Sequence, residues 1–196
     1  MNLPRRGKRG GKMSAVIPFH RVNVLTGIKS AKLIEDAPQY GNLIQKAKRP
    51  LLVLGPLLSE WSLDGKLLME YALEIAKAAN IPICATAQTK GKITELGVKP
   101  DSVYDAVEIV NALKDADWMG VKKEGNHDLV IFFGIRSDLA EQDLSVLKHF
   151  APHLKTMTLC KFYYPHADYS LPNFKKDKQW KAFLESLIDI LLKGQK

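Results

Sequence analysis

Lys48-Arg49-Pro50-Leu51-Leu52-Val53-Leu54-Gly55-Pro56 is the stretch that decides the fold. A basic turn enters a short apolar run, and Gly-Pro stops it. A run of that length between turn signals reads as a strand buried on both faces, the habit of strands in a parallel sheet. The same grammar returns at Asp128-Leu129-Val130-Ile131-Phe132-Phe133-Gly134-Ile135-Arg136, and between the two lies Ile81-Pro82-Ile83-Cys84-Ala85-Thr86. Each run ends on a small or polar residue where the chain must leave the sheet. Ligands of open α/β sheets bind outside such carboxyl ends.

The intervening segments carry helical periodicity. Asp36 can cap a helix with Pro38 in its first turn, and Tyr40, Leu43, Ile44 and Ala47 fall on one apolar face. Lys48-Arg49 closes that helix with the sign its dipole favours. A second helix is expected from Ser59, with Ser62 as a competing start. Leu68, Tyr71, Ala72, Ile75, Ala76 and Ala79 form its stripe, and Asn80 stops it. Gln88-Thr89-Lys90-Gly91 reads as a loop. Pro100-Asp101-Ser102 is expected to open a third helix with Val103, Ala106, Val107, Val110 and Leu113 on one face. Gly120 to His127 is polar and loop-like. Asp138 starts a helix that Pro152 ends, Thr156 to Cys160 is a fourth strand, and Trp180, Phe183, Leu184, Leu187, Ile188 and Leu191 stripe the last helix. Val16 to Gly27 reads as extended. Strand and helix alternating with connections long enough for crossovers is the pattern of an α/β parallel sheet covered on both faces.

The chain has 196 residues and a 46% hydrophobic share, enough for one α/β domain over residues 13–196. The charge of +8 is uneven. Residues 1–12 hold Arg5, Arg6, Lys8, Arg9 and Lys12 with no acid, and removing those five cations leaves +3. That segment reads as a disordered basic tail, or as an extension ahead of a true start at Met13. The remainder shows no basic stripe interleaved with aromatics, so a nucleic-acid partner is not expected. No run of about 18 apolar residues and no signal-peptide core occur, so neither a membrane span nor export is expected. Cys84 and Cys160 both sit in apolar runs and read as buried reduced thiols, which suits a cytoplasmic protein.

The candidate cofactor-binding residues are Gly55, Thr86, Gly134 and Arg136, all at strand ends. A dinucleotide fingerprint needs Gly-x-Gly-x-x-Gly after the first strand. Here Gly55-Pro56-Leu57-Leu58 offers one glycine, and Pro56 lacks a backbone donor. Gly134 either lets a ligand approach closely or simply makes the turn. Arg136 either meets a phosphate or is a solvated charge. Thr86, with Gln88, Thr89 and Lys90, either bonds a cofactor or partner or forms an ordinary polar loop. No Cys-x-x-Cys occurs, and Pro152 separates His149 from His153, so no metal site is expected. No nucleophile elbow or phosphate-binding Walker loop is present, so no catalytic residues are assigned. The aromatic stretch from Phe162 to Phe174 either anchors a partner or folds back over the core.

Ala47 to Leu58, Ile81 to Thr86 and Asp128 to Gly134 together resemble the epsilon subunit of the archaeal acetyl-CoA decarbonylase/synthase complex, from about Met13 onward. The same grammar occurs in the middle domain of thiamine-diphosphate enzymes, whose flanking cofactor domains a chain of this length cannot hold. The resemblance implies a three-layer Rossmann-like sheet of six parallel strands, of the deoxyhypusine-synthase-like NAD/FAD-binding type. It implies a non-catalytic accessory subunit that stabilises the nickel–iron carbon monoxide dehydrogenase alpha subunit in an alpha2-epsilon2 component, serving acetyl-CoA cleavage or synthesis and CO oxidation. The nickel and iron–sulfur clusters would lie on that partner. The alternative it implies is an FAD-binding electron-transfer protein serving CO oxidation.

Overall fold

The computed structural model describes residues 29–194. The basic segment 1–12 and the extended segment expected from Val16 to Gly27 lie outside them. Nine short strands and seven helices follow one another among the described residues. Seven strands form one wholly parallel sheet: β1 (Lys32–Leu33), β2 (Pro50–Leu54), β5 (Ile83–Ala85), β6 (Ser102–Val103), β7 (Leu129–Phe133), β8 (Lys155–Thr158) and β9 (Tyr169–Ser170). Their order is β1-β9-β8-β7-β2-β5-β6. Read from the β6 edge, the six strands up to β9 follow the 3-2-1-4-5-6 order of doubly wound sheets, with the direction of winding reversing at β2. The seventh strand, β1, extends the six-stranded expectation at the β9 edge.

Alternation along the strands builds two cores. Leu52, Leu54, Ile131 and Phe133 face α1 (Ala37–Lys46), α3 (Leu68–Ala79) and α7 (Asp177–Lys193). Leu51, Val53, Val130 and Phe132 face α5 (Ala106–Lys114) and α6 (Ser137–Phe150). β2 and β7 are fully in register, Pro50 beside Leu129 through Leu54 beside Phe133, and are buried almost throughout. The result is a three-layer, Rossmann-like α/β fold.

Several local expectations hold. The Asp36 carboxylate accepts the Gln39 N–H at 3.3 Å and starts α1. Asn80 ends α3 in the left-handed region at φ 51°. Others are corrected. Lys48 and Arg49 lie beyond α1, and their backbone N–H groups donate to the Asp128 carboxylate at 2.8 Å each. Neither Ser59 nor Ser62 caps a helix. Instead α2 (Leu57–Glu60) is followed by an antiparallel hairpin, β3 (Ser62–Leu63) and β4 (Lys66–Leu67). Its two-residue loop is Asp64-Gly65, at φ 50° and 85°, the Asp-Gly signal of a tight hairpin turn.

The loop expected at Gln88 to Gly91 is the start of α4 (Ala87–Glu95). Thr89 Oγ1 donates to the Thr86 carbonyl at 2.9 Å, and buried Ile93 supplies tertiary packing that outweighs the poor helix propensity of Thr89 and Gly91. The helix expected from Pro100 begins six residues later, at Ala106. Asp105 and Glu108 form a capping box there, so Ser102 and Val103 are released to pair with Cys84 and Ala85 as β6. Val103 and Val107 are consequently exposed rather than on the core face.

Candidate functional site

The ends of β2 and β7 meet at the point where strand order reverses, and the chain itself fills the gap between them. The Gly55 N–H donates to the Phe133 carbonyl at 2.8 Å, and the Leu57 N–H donates to the Gly134 carbonyl at 3.0 Å. A Cβ on Gly55 would lie within 3.0 Å of the Gly134 backbone. Gly134 has φ +75°, and a Cβ there would strike the buried Leu58 side chain. The two glycines therefore bring the turns together.

Those contacts consume the donors a pyrophosphate would need. Gly55 and Leu57 N–H are taken and Pro56 has none, so this turn does not fit a dinucleotide's pyrophosphate. Thr86 is buried, with its Oγ1 3.3 Å from that of Thr89 and its N–H on the Leu54 carbonyl, so it ties α4 to the end of β2. Arg136 is exposed and forked onto Asp138 through Nε at 3.2 Å and Nη2 at 2.7 Å. That guanidinium holds the Asp138 carboxyl below its ordinary range.

Two cavities flank the closed turn. On one side, about 400 Å³ opens between Pro56, Thr86, Gln88, Ala106, Val107 and Arg136, under the first turns of α4 and α5. On the other, about 190 Å³ lies over Phe133 and Gly134, walled by Leu57, Trp61, Leu68, Cys160 and Trp180 and reaching the start of α6. Thus Gly55 and Gly134 come together, Arg136 borders both cavities, and Thr86 borders only the first. The second cavity was not anticipated: Trp180 fits the core stripe of the last helix, and Trp61 lies in a segment read only as a helix start. Phe162, at its mouth, belongs to the aromatic stretch already singled out.

That stretch divides. Tyr164 and Phe174 are buried and Tyr163 and Tyr169 partly so, with the Tyr163 hydroxyl on the Ala31 carbonyl at 2.9 Å. Phe162 alone among its five rings is exposed, at 44%. Most of the stretch therefore folds back over the core.

Cys84 is buried and Cys160 half-buried, both free thiols; Cys84 lies in the core under α5 and α6, and Cys160 packs against both cores. Burial pushes the Cys84 thiol up to about 11 and raises Cys160 as well, so neither is an activated nucleophile. Among the described residues no three His, Cys, Asp or Glu side chains converge as metal ligands. His127 is buried with Nδ1 3.0 Å from the Arg49 carbonyl and Nε2 accepting from Val121 N–H at 3.3 Å, and burial lowers its basicity. His153 contacts the Leu113 carbonyl at 3.1 Å. No described helix is long and apolar enough to cross a membrane.

The family model described as "CO dehydrogenase beta subunit/acetyl-CoA synthase epsilon subunit" matches residues 12–188. A protein of Methanothermobacter thermautotrophicus named acetyl-CoA decarbonylase/synthase complex subunit epsilon is 40% identical over 173 residues, covering 88% of this chain and 94% of that protein. The epsilon 1 protein of Archaeoglobus fulgidus is 38% identical over 152 residues, 76% of this chain and 79% of its own. The epsilon 2 protein of Methanosarcina mazei is 34% identical over 167 residues, 84% and 92% respectively. With a fold, a strand-end architecture and a match that runs across nearly its whole length, the chain belongs to the CO dehydrogenase beta subunit/acetyl-CoA synthase epsilon subunit family.

Proposed function

We propose that this chain is a non-catalytic, cytoplasmic subunit of an acetyl-CoA decarbonylase/synthase complex that docks on and stabilises the nickel–iron carbon monoxide dehydrogenase alpha subunit in an alpha2-epsilon2 component. The observation that carries this reading is the match to proteins named as epsilon subunits over most of both chains. The donor chemistry supports it. Two cysteines in the whole chain cannot supply the thiolate sets of iron–sulfur clusters, so the metal chemistry falls to the partner. The sheet order also suits a deoxyhypusine-synthase-like nucleotide-binding ancestry whose phosphate turn has closed. Co-purification tests the reading. Tagged chain expressed with its cognate alpha subunit is expected to elute as one component with two copies of each, and separate elution would sink the proposal.

A second reading, FAD-linked electron transfer, draws on the 400 Å³ cavity. Ala87 and Gln88 begin α4 there, where a helix N-terminus can face a phosphate. FAD, when bound, would supply one- and two-electron transfer. Thr86, Gln88 and Arg136 are the residues placed to hold it. Titrating FAD into the pure chain decides between the readings: saturable quenching of flavin fluorescence below tens of micromolar favours the second, and none favours the first.

A further inference from the structure

Trp61 and Phe162 are two of the exposed large apolar side chains, 40% and 44% exposed, and both stand on the same 190 Å³ cavity. Its floor is apolar, made by Leu57, Leu68, Phe133 and Trp180. An apolar cavity of about 150 Å³ holds one benzene ring, and drug-sized ligands need about 300 Å³ or more. The space therefore suits a single Leu-, Met- or Phe-sized side chain and is too small for a nucleotide cofactor.

The mouth has a charge bias. The first turn of α6 already carries the Asp138 carboxylate, which lines the opening and is forked by Arg136, so the cationic share of the rim is carried by Arg136 and Lys161, which border the same cavity. Arg136 spends Nε and Nη2 on Asp138 and keeps Nη1 as a further donor. The Lys161 carbonyl accepts the Phe174 N–H at 2.9 Å, which brings the exposed Lys175, Lys176 and Lys178 to the same end of the molecule, with Asp177 among them held by Lys161. A buried apolar socket, aromatic lips and a cationic surround are the anatomy of an interface anchor site.

We propose that this cavity is the socket by which the chain docks its partner subunit. It receives one bulky apolar side chain of the carbon monoxide dehydrogenase alpha subunit, with a carboxylate of the same segment meeting Nη1 of Arg136 at the rim. This rests on the accessory-subunit reading and adds the surface and the chemistry of its occupant.

The test is biolayer interferometry of the full chain against its cognate alpha subunit. Phe162→Ser removes one lip and Ser137→Trp plugs the mouth from the start of α6. Each is expected to raise Kd about thirtyfold, the scale of an interface hot spot. Phe150→Ser, at the exposed far end of α6, serves as the control and should bind as wild type. Circular dichroism melts confirm that each variant folds, and either socket variant suffices if the other does not. Wild-type chain that fails to bind overturns the accessory reading itself. Wild-type binding matched by folded Phe162→Ser and Ser137→Trp overturns the socket alone. So does equal weakening by Phe150→Ser. Loss of a homodimer in sedimentation of Phe162→Ser, with alpha-subunit binding intact, would instead assign the socket to a second copy of this chain.

Discussion

Gly134 sits at φ +75° with Leu58 where a side chain would begin, and Gly55 faces its backbone across the gap. A left-handed backbone costs an ordinary residue about 1–2 kcal/mol, and overpacking adds about 1–3. Gly134→Val is therefore expected to destabilise by about 2–5 kcal/mol and to lower Tm by roughly 5–15 °C at this chain length. An unchanged thermal melt would refute this. Asp143 makes a different kind of demand. It is buried on α6, its Oδ2 has no hydrogen-bond partner, and burial pushes its carboxyl up to about 6. The unfolded carboxyl ionises near 3.8, so rising pH stabilises the unfolded chain first. The cost is absent below about pH 4, grows between 4 and 6, and is complete above 6. Two units correspond to about 3 kcal/mol, so Asp143→Asn should gain up to that much at pH 7 and nothing at pH 3.5. Paired denaturant melts at the two pH values measure the difference, and an equal gain at both would refute the assignment.

Between elements, the carboxylate of Asp128 does what the sequence hides. It receives the backbone N–H groups of Lys48 and Arg49 and so fixes the entry of β2 against the entry of β7. Asp128→Ala should cost about 2–4 kcal/mol, since two charge-assisted bonds are lost together; a chemical-denaturation midpoint unchanged from wild type would contradict it. The buried strands were legible because an unbroken Leu51–Leu54 or Leu129–Phe133 has no polar face to offer water. Asp36 and Asn80 were legible because capping chemistry is local. The early part of α4, the late start of α5 and the hairpin around Asp64-Gly65 were harder. Each depends on choosing between rival short signals, and burial of Ile93 or pairing of Ser102 with Cys84 makes that choice from far along the chain. The strand-end residues were placed correctly at the sheet's carboxyl edge. That Gly55 and Gly134 would close on each other, leaving cavities to either side, depends on the Leu58 side chain and two backbone hydrogen bonds that no local pattern encodes.

Taken whole, the molecule is a doubly wound sheet with the turn after β2 closed against the turn after β7 and an apolar cavity beside it. If that socket holds a partner, binding and stability are linked in both directions. At an alpha-subunit concentration about a hundredfold above Kd, the complex should be stabilised by about 2.7 kcal/mol, and this chain's melt should rise by roughly 5–10 °C. Differential scanning calorimetry of the mixture checks it, and coincidence with the sum of the separate melts would contradict docking. The outermost strand carries one more consequence. β1 comes first among the described strands, yet its only neighbour among them is β9, far along the chain at Tyr169–Ser170. During synthesis from the N-terminus, β1 has no partner among the described strands until Tyr169 and Ser170 have left the ribosome. The sheet can assemble outward from β2 in the meantime, but its edge is sealed last. A nascent chain stalled short of Tyr169 would therefore carry an unpaired early segment, and the docking of β1 would report that translation had passed it.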